Sequence, residues 1–474
     1  VTKTKYPTRG RVAMTKEANA LYNAFSTRHG DKQNLKTRKL NIPKEVRRVM
    51  RVYFDRNRMW KLIHFQKNPL YIHRGRLLDW LSERPDGLSV LNELQEAIEQ
   101  GFEGNPINSM KVHAKVEALL KADPASFPEE VRARLIIWQK KGICALYSPV
   151  FKEAKVRLKA ILKKEFMYAD GKTMDELSAY TRGFTGVTHL FDSDLTAQDR
   201  QTPHDVLDVE FEIYKILGVS AAVLQSWRHV HNNWHYKGFD VSGELDEMRL
   251  TGQATTALGN LIVNLLVHAK FVEYNIKQHV FSLLLGDDHI SGFKHKPVVT
   301  FYRNTIEKNY NMVAKYEIRE NVSIFCRLMV YKTADGHMEV GPDFIRLRDK
   351  FETTHGTAAV SKMNLEMRSM SYCMVLGKTP QTMELIKTKN WPIEVLNWYS
   401  FSDCLNACAN YYDISQFEVL DDYSNLLKMM KDDRYYTHNV TVITSTPYGK
   451  PKSYAQPYLG KKIILAPPAS GKSY

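Results

Sequence analysis

Cysteine is scarce in this chain, with five among 474 residues. Cys404 and Cys408 sit four apart, while Cys144, Cys326 and Cys373 stand alone. So few, and odd in number, they argue against a disulfide framework. No CxxC…CxxC zinc spacing appears either, so reduced thiols of an intracellular protein are expected. Long apolar runs are missing too. The longest, Leu258 to Ala269, is broken by Asn260, Asn264 and His268. It is too short and too polar to cross a bilayer, so no transmembrane segment is expected. Val1-Thr2-Lys3-Thr4-Lys5 opens without an apolar core, which argues against a secretory leader. The first residue is not Met, and the chain reads as a piece cut from a longer one. No internal repeat or low-complexity tract stands out.

Negative charge is the minority. Lys plus Arg number 67 against 52 Asp plus Glu, a net charge of +15. Such an excess favours a polyanionic partner, nucleic acid before membrane surface. The length and a hydrophobic content of 43% allow several subdomains and a sizeable core. Arg47-Arg48, Arg51, Arg56, Arg58 and Lys61 are interleaved with Tyr53, Phe54, Trp60 and Phe65. That mixture suits single-stranded nucleic acid, and it equally suits an amphipathic helix with its aromatics turned to the core. His229, His231 and His235 cluster without acidic or thiol ligands at metal spacing, so a surface or structural role is expected for them.

Leu-rich periodicity predicts mainly helix over residues 70–125, and a basic amphipathic helix over Phe151 to Leu162. Residues 203–230 read as helix and loop. Strand-like runs lie at 187–191, 281–285, 298–302 and 324–331, and from about residue 340 the pattern turns mostly helical. The expected architecture is α+β, helices around a small sheet.

The richest stretch is Leu283-Leu284-Leu285-Gly286-Asp287-Asp288-His289-Ile290. It reads as a strand, a tight turn and a second strand, with two carboxylates at the hairpin tip. Adjacent carboxylates repel, and water or a divalent cation relieves them. Upstream, the apolar run ending at Phe191 leads into Asp192, Asp194 and Asp199, and Asp194 is placed to reach the same tip. Three converging carboxylates would suit two magnesium ions. Between the two lies Arg249-Leu250-Thr251-Gly252-Gln253-Ala254-Thr255-Thr256, running on to Asn260. There a Gly-containing loop opens a helix that puts Thr256 and Asn260 one turn apart, able to bond a sugar hydroxyl. The other reading is an ordinary helix capped by Thr251, with Asn260 and Asn264 merely tolerated.

In order and spacing, D-x4-D, then [ST]G-x3-T-x3-N, then GDD, these segments resemble motifs A, B and C of the RNA-dependent RNA polymerases of positive-strand RNA viruses. They are Asp194/Asp199, then Thr251-Gly252/Thr256/Asn260, then Gly286-Asp287-Asp288, with Thr251 where many members have Ser. Three matches in unpermuted order are far more specific than one. The resemblance covers roughly residues 110–350. Lys115-Val116-Glu117, Lys121 and Arg132-Ala133-Arg134-Leu135-Ile136 look like the basic motif F. Asn311-Met312-Val313-Ala314-Lys315 resembles motif D, and Ser323-Ile324-Phe325-Cys326-Arg327-Leu328 motif E, while motif G has no counterpart. The Asp194/Asp199 spacing and the Asn-Met-Val-x-Lys run look closer to the alphavirus-like branch than to the picornavirus-like one.

The resemblance implies a right-hand polymerase. Its parts would be a basic N-terminal fingers region (1–110), fingers with motif F (111–186), a palm with motifs A to E and a fingers insertion (187–335), and a helical thumb (336–458). It implies template-directed nucleotidyl transfer. Asp194, Asp287 and Asp288 would hold Mg2+ or Mn2+, and Lys315 would protonate the leaving pyrophosphate. Asp199, Thr256 and Asn260, beside Thr251 and Gly252, would sense the ribose, and Lys115, Arg132 and Arg134 would grip the triphosphate. The implied partners are RNA template and product, nucleoside triphosphates and other replicase domains of one polyprotein. The implied setting is host cytoplasm, including a membrane-associated replication complex.

Residues 459–474 carry a second signal. The strand-like Lys461–Leu465 runs into Ala466-Pro467-Pro468-Ala469-Ser470-Gly471-Lys472-Ser473. This A-x4-G-K-S resembles a P-loop, in which Gly471, Lys472 and Ser473 cradle phosphate and magnesium. It would begin an NTPase or helicase domain, a domain order that resembles that of some capsidless fungal RNA viruses. Two competing readings stand. One is a nucleic-acid-binding protein with a degenerate polymerase fold, the other a P-loop NTPase whose polymerase motifs are coincidental.

Overall fold

The computed structural model describes residues 11–14, 24–25, 38–99, 107–114, 118–121, 135–196, 198–231, 234–237, 242–245, 248–333, 335–351, 363–368, 440–444, 452–454 and 461–465. Lys115, Arg132, Arg134 and the P-loop residues Gly471, Lys472 and Ser473 lie outside them, as does most of the expected thumb.

Strand β1 (Arg11–Met14) precedes the helices α1 (Ile42–Tyr53), α2 (Trp60–Lys67), α3 (Arg74–Ser82) and α4 (Gly87–Glu99). Strands β2 (Ser109–Ala114), β3 (Ala118–Lys121) and β4 (Leu135–Gln139) lead to the long helix α5 (Lys141–Ile161). Next come β5 (Phe166–Tyr168), α6 (Met174–Arg182), β6 (His189–Leu195), α7 (Gln198–Gln201), α8 (His204–Ile216) and α9 (Ala221–Val230). Strands β7 (Trp234–Lys237) and β8 (Ser242–Leu245) precede α10 (Thr256–Tyr274) and the hairpin β9 (His279–Leu285) and β10 (Asp288–Phe293). The series continues with α11 (Tyr302–Tyr310), β11 (Ala314–Arg319), β12 (Val322–Phe325), β13 (Leu328–Lys332), β14 (Met338–Pro342) and α12 (Phe344–Phe351). It closes with β15 (Val440–Thr444), β16 (Lys452–Tyr454) and β17 (Lys461–Leu465). Helix and sheet are mixed, as the α+β expectation had it.

The central sheet has the order β11-β6-β10-β9-β5, antiparallel except where β5 runs parallel to β9. Alternation along the strands gives it two unlike faces. One face carries Phe191, Ser193, His289 and Phe293 and packs on α10, with Phe191 against Phe271 at 4.4 Å between ring centroids. Every residue of α10 from Leu258 to Ala269 is buried. The longest apolar run is therefore a core helix, and among the described residues no helix is long and apolar enough to cross a membrane. Each aliphatic side chain so buried contributes roughly 1.5–3 kcal/mol. The other face carries Leu190, Ile290, Leu283 and Phe281, covered by Phe325, Val330 and Val340 of the antiparallel sheet β12-β13-β14 and by Leu177 of α6. Toward the far end of the same strands this face changes from apolar to acidic.

Several local expectations are corrected. Residues 109–114 and 118–121 are strands, because short apolar runs satisfy both periods and the ladder of β2 with β4 decides between them. Residues 298–301 form no strand, since Asn275 takes the backbone of Val298 through both its amide groups. Helix α10 starts at Thr256, not behind a Thr251 cap. Tyr53, Phe54 and Phe65 are core residues, and of the interleaved aromatics Trp60 stays exposed. His231 is buried, bonded to the carbonyl of Trp227 and to Gln253, the structural role expected of it.

Candidate active site

The hairpin tip is a two-residue turn. Leu285 pairs with Asp288, leaving Gly286 and Asp287 between them. Gly286 has φ +57° and nothing within 4 Å of where a Cβ would lie, so glycine is required by backbone conformation, as in a type II′ turn. Strand β6 lies beside β10 with His289 opposite Ser193 and Ile290 opposite Asp192. One further step along this register sets Asp288 opposite Asp194. On the other side of β6, Lys315 of β11 is the direct partner of Asp194. Three antiparallel strands thus bring Lys315, Asp194 and Asp288 into one row, with Asp287 on the turn beyond.

Asp194, Asp287 and Asp288 are open to solvent. Among the described residues none of them is in an ion pair with a lysine or arginine. Asp287 is nevertheless backed by enough protein to lose part of its hydration. That loss, then the charge of Asp288, then those of Asp199 and Asp194, push its carboxyl up to about 6. Asp288 is raised as well, chiefly by desolvation, and the thiol of Cys326 donates to its Oδ2 at 3.1 Å, opposing the rise. Cys326 and Arg327 form the turn between β12 and β13, with φ +49° and +65°. A type I′ turn requires that conformation, and non-glycine residues adopt it at a cost. Asp192, one alternation below Asp194, accepts from the hydroxyl of Ser323. Among the described residues no group of three His, Cys, Asp or Glu side chains is drawn together as a metal cage.

Asp199 lies on α7 and is raised by burial. Asn260 answers it, Nδ2 donating to Oδ1 at 2.9 Å, and Gln198 donates to the carbonyl of Asn260 at 3.1 Å. Asp199 and Asn260, expected to act together, are therefore in direct contact. Thr256 is differently employed. Its hydroxyl donates to the carbonyl of Leu250 at 2.6 Å and accepts from the N–H of Gln253 at 3.1 Å, closing its own loop. Thr251 docks that loop on β4, donating to the carbonyl of Ile137 at 3.0 Å and accepting from its N–H at 2.8 Å. Gly252 follows onto the same strand edge, its N–H donating to Ile137 at 2.8 Å, with no space for a Cβ against Trp138.

Two functional neighbours escape sequence reading. Asn264, which the alternative reading of this helix treats as merely tolerated, donates from Nδ2 to the carbonyls of Gly286 at 3.2 Å and Asp288 at 3.1 Å. The signal was its spacing, one turn beyond Asn260 on an otherwise apolar helix. The second is Arg249, fully buried and ion-paired with Glu210 of α8. Its guanidinium donates to the carbonyl of Thr255 at 3.2 Å, and its backbone N–H to that of Asp199 at 3.1 Å. Nothing in the linear pattern pairs residues 210 and 249. Near the end of the chain, β17 pairs parallel with β15, so the strand ahead of residues 466–473 is present.

A family model described as RNA dependent RNA polymerase matches residues 29–378. The RNA-directed RNA polymerase 2a of Tobacco streak virus (strain WC) is 26% identical over 215 residues, 43% of this chain and 26% of that protein. The RNA replication polyprotein of Apple stem pitting virus (isolate PA66) is 25% identical over 205 residues, 43% of this chain and 9% of the polyprotein. The replicase large subunit of Pepper mild mottle virus (strain Spain) is 24% identical over 250 residues, 51% of this chain and 15% of that subunit. The chain thus spans about a quarter or less of these relatives.

Proposed function

The chain belongs to the family of RNA-dependent RNA polymerases, and from that premise we propose that it copies viral RNA by template-directed nucleotidyl transfer. The carrying observation is the row formed by Asp194, Asp288 and the turn residue Asp287 on adjoining strands of one sheet. Residues 111–186 would serve as fingers, 187–335 as palm and 336–458 as thumb.

The acids fit divalent cations, Mg2+ or Mn2+. They are hard oxygen donors, and lost hydration first, then the charges of their neighbours, push Asp287 up to about 6. Asp194 and Asp287 would hold the ions, with Asp288 assisting. When bound, such ions lower the pKa of a primer 3′-hydroxyl and neutralise a leaving pyrophosphate. Asp199 and Asn260 form a bonded acceptor–donor pair suited to a ribose 2′-hydroxyl, and Thr256 shapes the loop beside them. Lys315, the strand partner of Asp194, would hand a proton to the pyrophosphate. Lys115, Arg132 and Arg134 would bind the triphosphate, and the basic surplus would follow RNA backbone, so binding should weaken with salt.

A host-cytoplasmic replication complex with other domains of one polyprotein is the proposed setting. Residues 466–473 would open a second phosphate-binding unit there. Primer extension with Mg2+, an RNA template and labelled triphosphates tests the reading. Asp194→Asn and Asp287→Asn should each abolish synthesis while the protein stays folded. An Asp287→Asn protein that still elongates RNA would sink it.

A further inference from the structure

Asn264 is fully buried in α10. Its amide spans the acid turn from behind, since the carbonyls it binds, those of Gly286 and Asp288, bracket Asp287. The other half of that amide, Oδ1, has no partner among the described residues. A buried amide with an unanswered oxygen costs more than an isosteric leucine would. Its return is the pair of bonds to the turn.

The backbone carbonyl of Asn264 is itself fixed. It accepts from Nδ1 of the buried His268 at 2.8 Å. A carbonyl only accepts, so Nδ1 carries the proton, and Nε2 is left as an acceptor whose one lone pair faces the hydroxyls of Ser193 at 2.7 Å and Tyr302 at 2.8 Å. Ser193 precedes Asp194 on β6. One chain of contacts therefore runs from the strand bearing Asp194, through His268 and Asn264, to the turn bearing Asp287 and Asp288.

We infer that Asn264 is a positioning residue which sets the reach of Asp287 and Asp288 toward Asp194, and thereby the divalent-cation affinity of the acid site. The inference rests on the polymerase reading of those acids. Two donors from one planar amide hold both ends of a turn that carries repelling carboxylates, and without them the turn is free to splay. The nucleotide's sugar and phosphates meet other residues, so binding of the triphosphate at saturating metal should not change.

The test uses the full chain as Asn264→Leu, Asn264→Asp and Asn264→Ser. A control, Asn275→Leu, removes another buried asparagine of the α10 C-terminus that bonds two carbonyls. Mn2+ binding is titrated by electron paramagnetic resonance without nucleotide, alongside thermal melting. The Mg2+ dependence of primer extension and the KM for the triphosphate complete the set. Mn2+ affinity should fall ~10-fold or more in the Leu and Asp variants, the scale on which ligand-supporting groups act. Half-saturating Mg2+ should rise in step while KM at saturating Mg2+ holds. Asn275→Leu should lower the melting temperature yet keep its Mn2+ affinity. If the Leu and Asp proteins do not fold, Asn264→Ser, smaller and with one donor, is read by the same titration. A cooperatively melting Asn264 variant that binds Mn2+ like the parent overturns the inference, as does an equal loss in Asn275→Leu. A parent chain that neither binds Mn2+ nor extends a primer overturns the polymerase reading instead.

Discussion

The Sγ of Cys326 lies 3.1 Å from Oδ2 of Asp288, so the hairpin β12–β13 touches the acid turn through a thiol. Desolvation first, then the charge of Asp288, push the Cys326 thiol far above its ordinary range. A thiolate is the nucleophile, so Cys326 should alkylate slowly at pH 8. Both Asp288→Asn and added Mg2+ should speed it, because each removes or offsets the neighbouring negative charge. Timed iodoacetamide labelling with peptide mapping by mass spectrometry measures this. Equal rates in all three conditions would deny the contact any electrostatic weight.

Asp287 titrates at about 6 in the fold and near 3.9 in an unfolded chain. Between those values the folded state binds more protons, so its contribution to stability falls as pH rises through that window and stays low above it. In metal-free protein, Asp287→Asn should therefore melt higher than the parent at pH 7–8. The gap should close below about pH 4, where the acid is protonated in both states, and in saturating Mg2+. Scanning calorimetry across pH, with and without Mg2+, checks it. A variant that melts lower than the metal-free parent at pH 8 contradicts a carboxylate destabilised by lost hydration and by its acidic neighbours.

The acid row was legible because its signals are local. Gly286-Asp287 between apolar runs specifies a two-residue turn, and alternation places Asp192 and Asp194 on one face. The partners of that row were not legible. Cys326 lies 38 residues from Asp288, and Asn264 lies 22 and 24 from the carbonyls it binds, distances that only the register of the sheet and the seating of α10 close up. Thr251 was expected among the substrate-site residues, and its hydroxyl bonds the backbone of Ile137, a strand that hydroxyl chemistry alone does not predict. The aromatics near residue 60 were ambiguous for a physical reason. Rings that stack on bases and rings that fill a core obey one spacing, and burial of Tyr53, Phe54 and Phe65 decides for the core.

Burial pushes His231 down to about 3 and His268 down to about 4, from an ordinary 6.5. The unfolded imidazoles take protons near 6.5 while the folded ones refuse them, so stability falls as pH drops below that value. Each group adds a slope of about 1.4 kcal/mol per pH unit. Guanidinium titrations at pH 7, 6 and 5 should show the loss. His268→Gln should be less stable at pH 7, because the hydroxyls of Ser193 and Tyr302 lose the ring nitrogen they share, yet lose less on going to pH 5. Parallel pH slopes for parent and variant would remove His268 from the account.

Arg249 and Glu210 are a buried ion pair with almost no exposure to water, and the absence of a side chain at Gly259 leaves room for them. A Cβ at Gly259 would overlap both the guanidinium and the carboxylate. Removing one member strands a buried charge, which costs about 3–5 kcal/mol, whereas replacing both by apolar groups of similar size is often nearly neutral. Arg249→Met alone should lower the guanidinium midpoint sharply, and Gly259→Ala should do the same by forcing the pair apart. Glu210→Leu with Arg249→Met should recover most of the loss, although Tyr214, whose hydroxyl donates to Glu210, then lacks its acceptor and holds part of it back. If the double variant is no more stable than Arg249→Met, the cost lies in the guanidinium's bonds to Thr255 and not in an unpaired charge. The loop from Leu250 to Thr256 would then be held by those bonds alone.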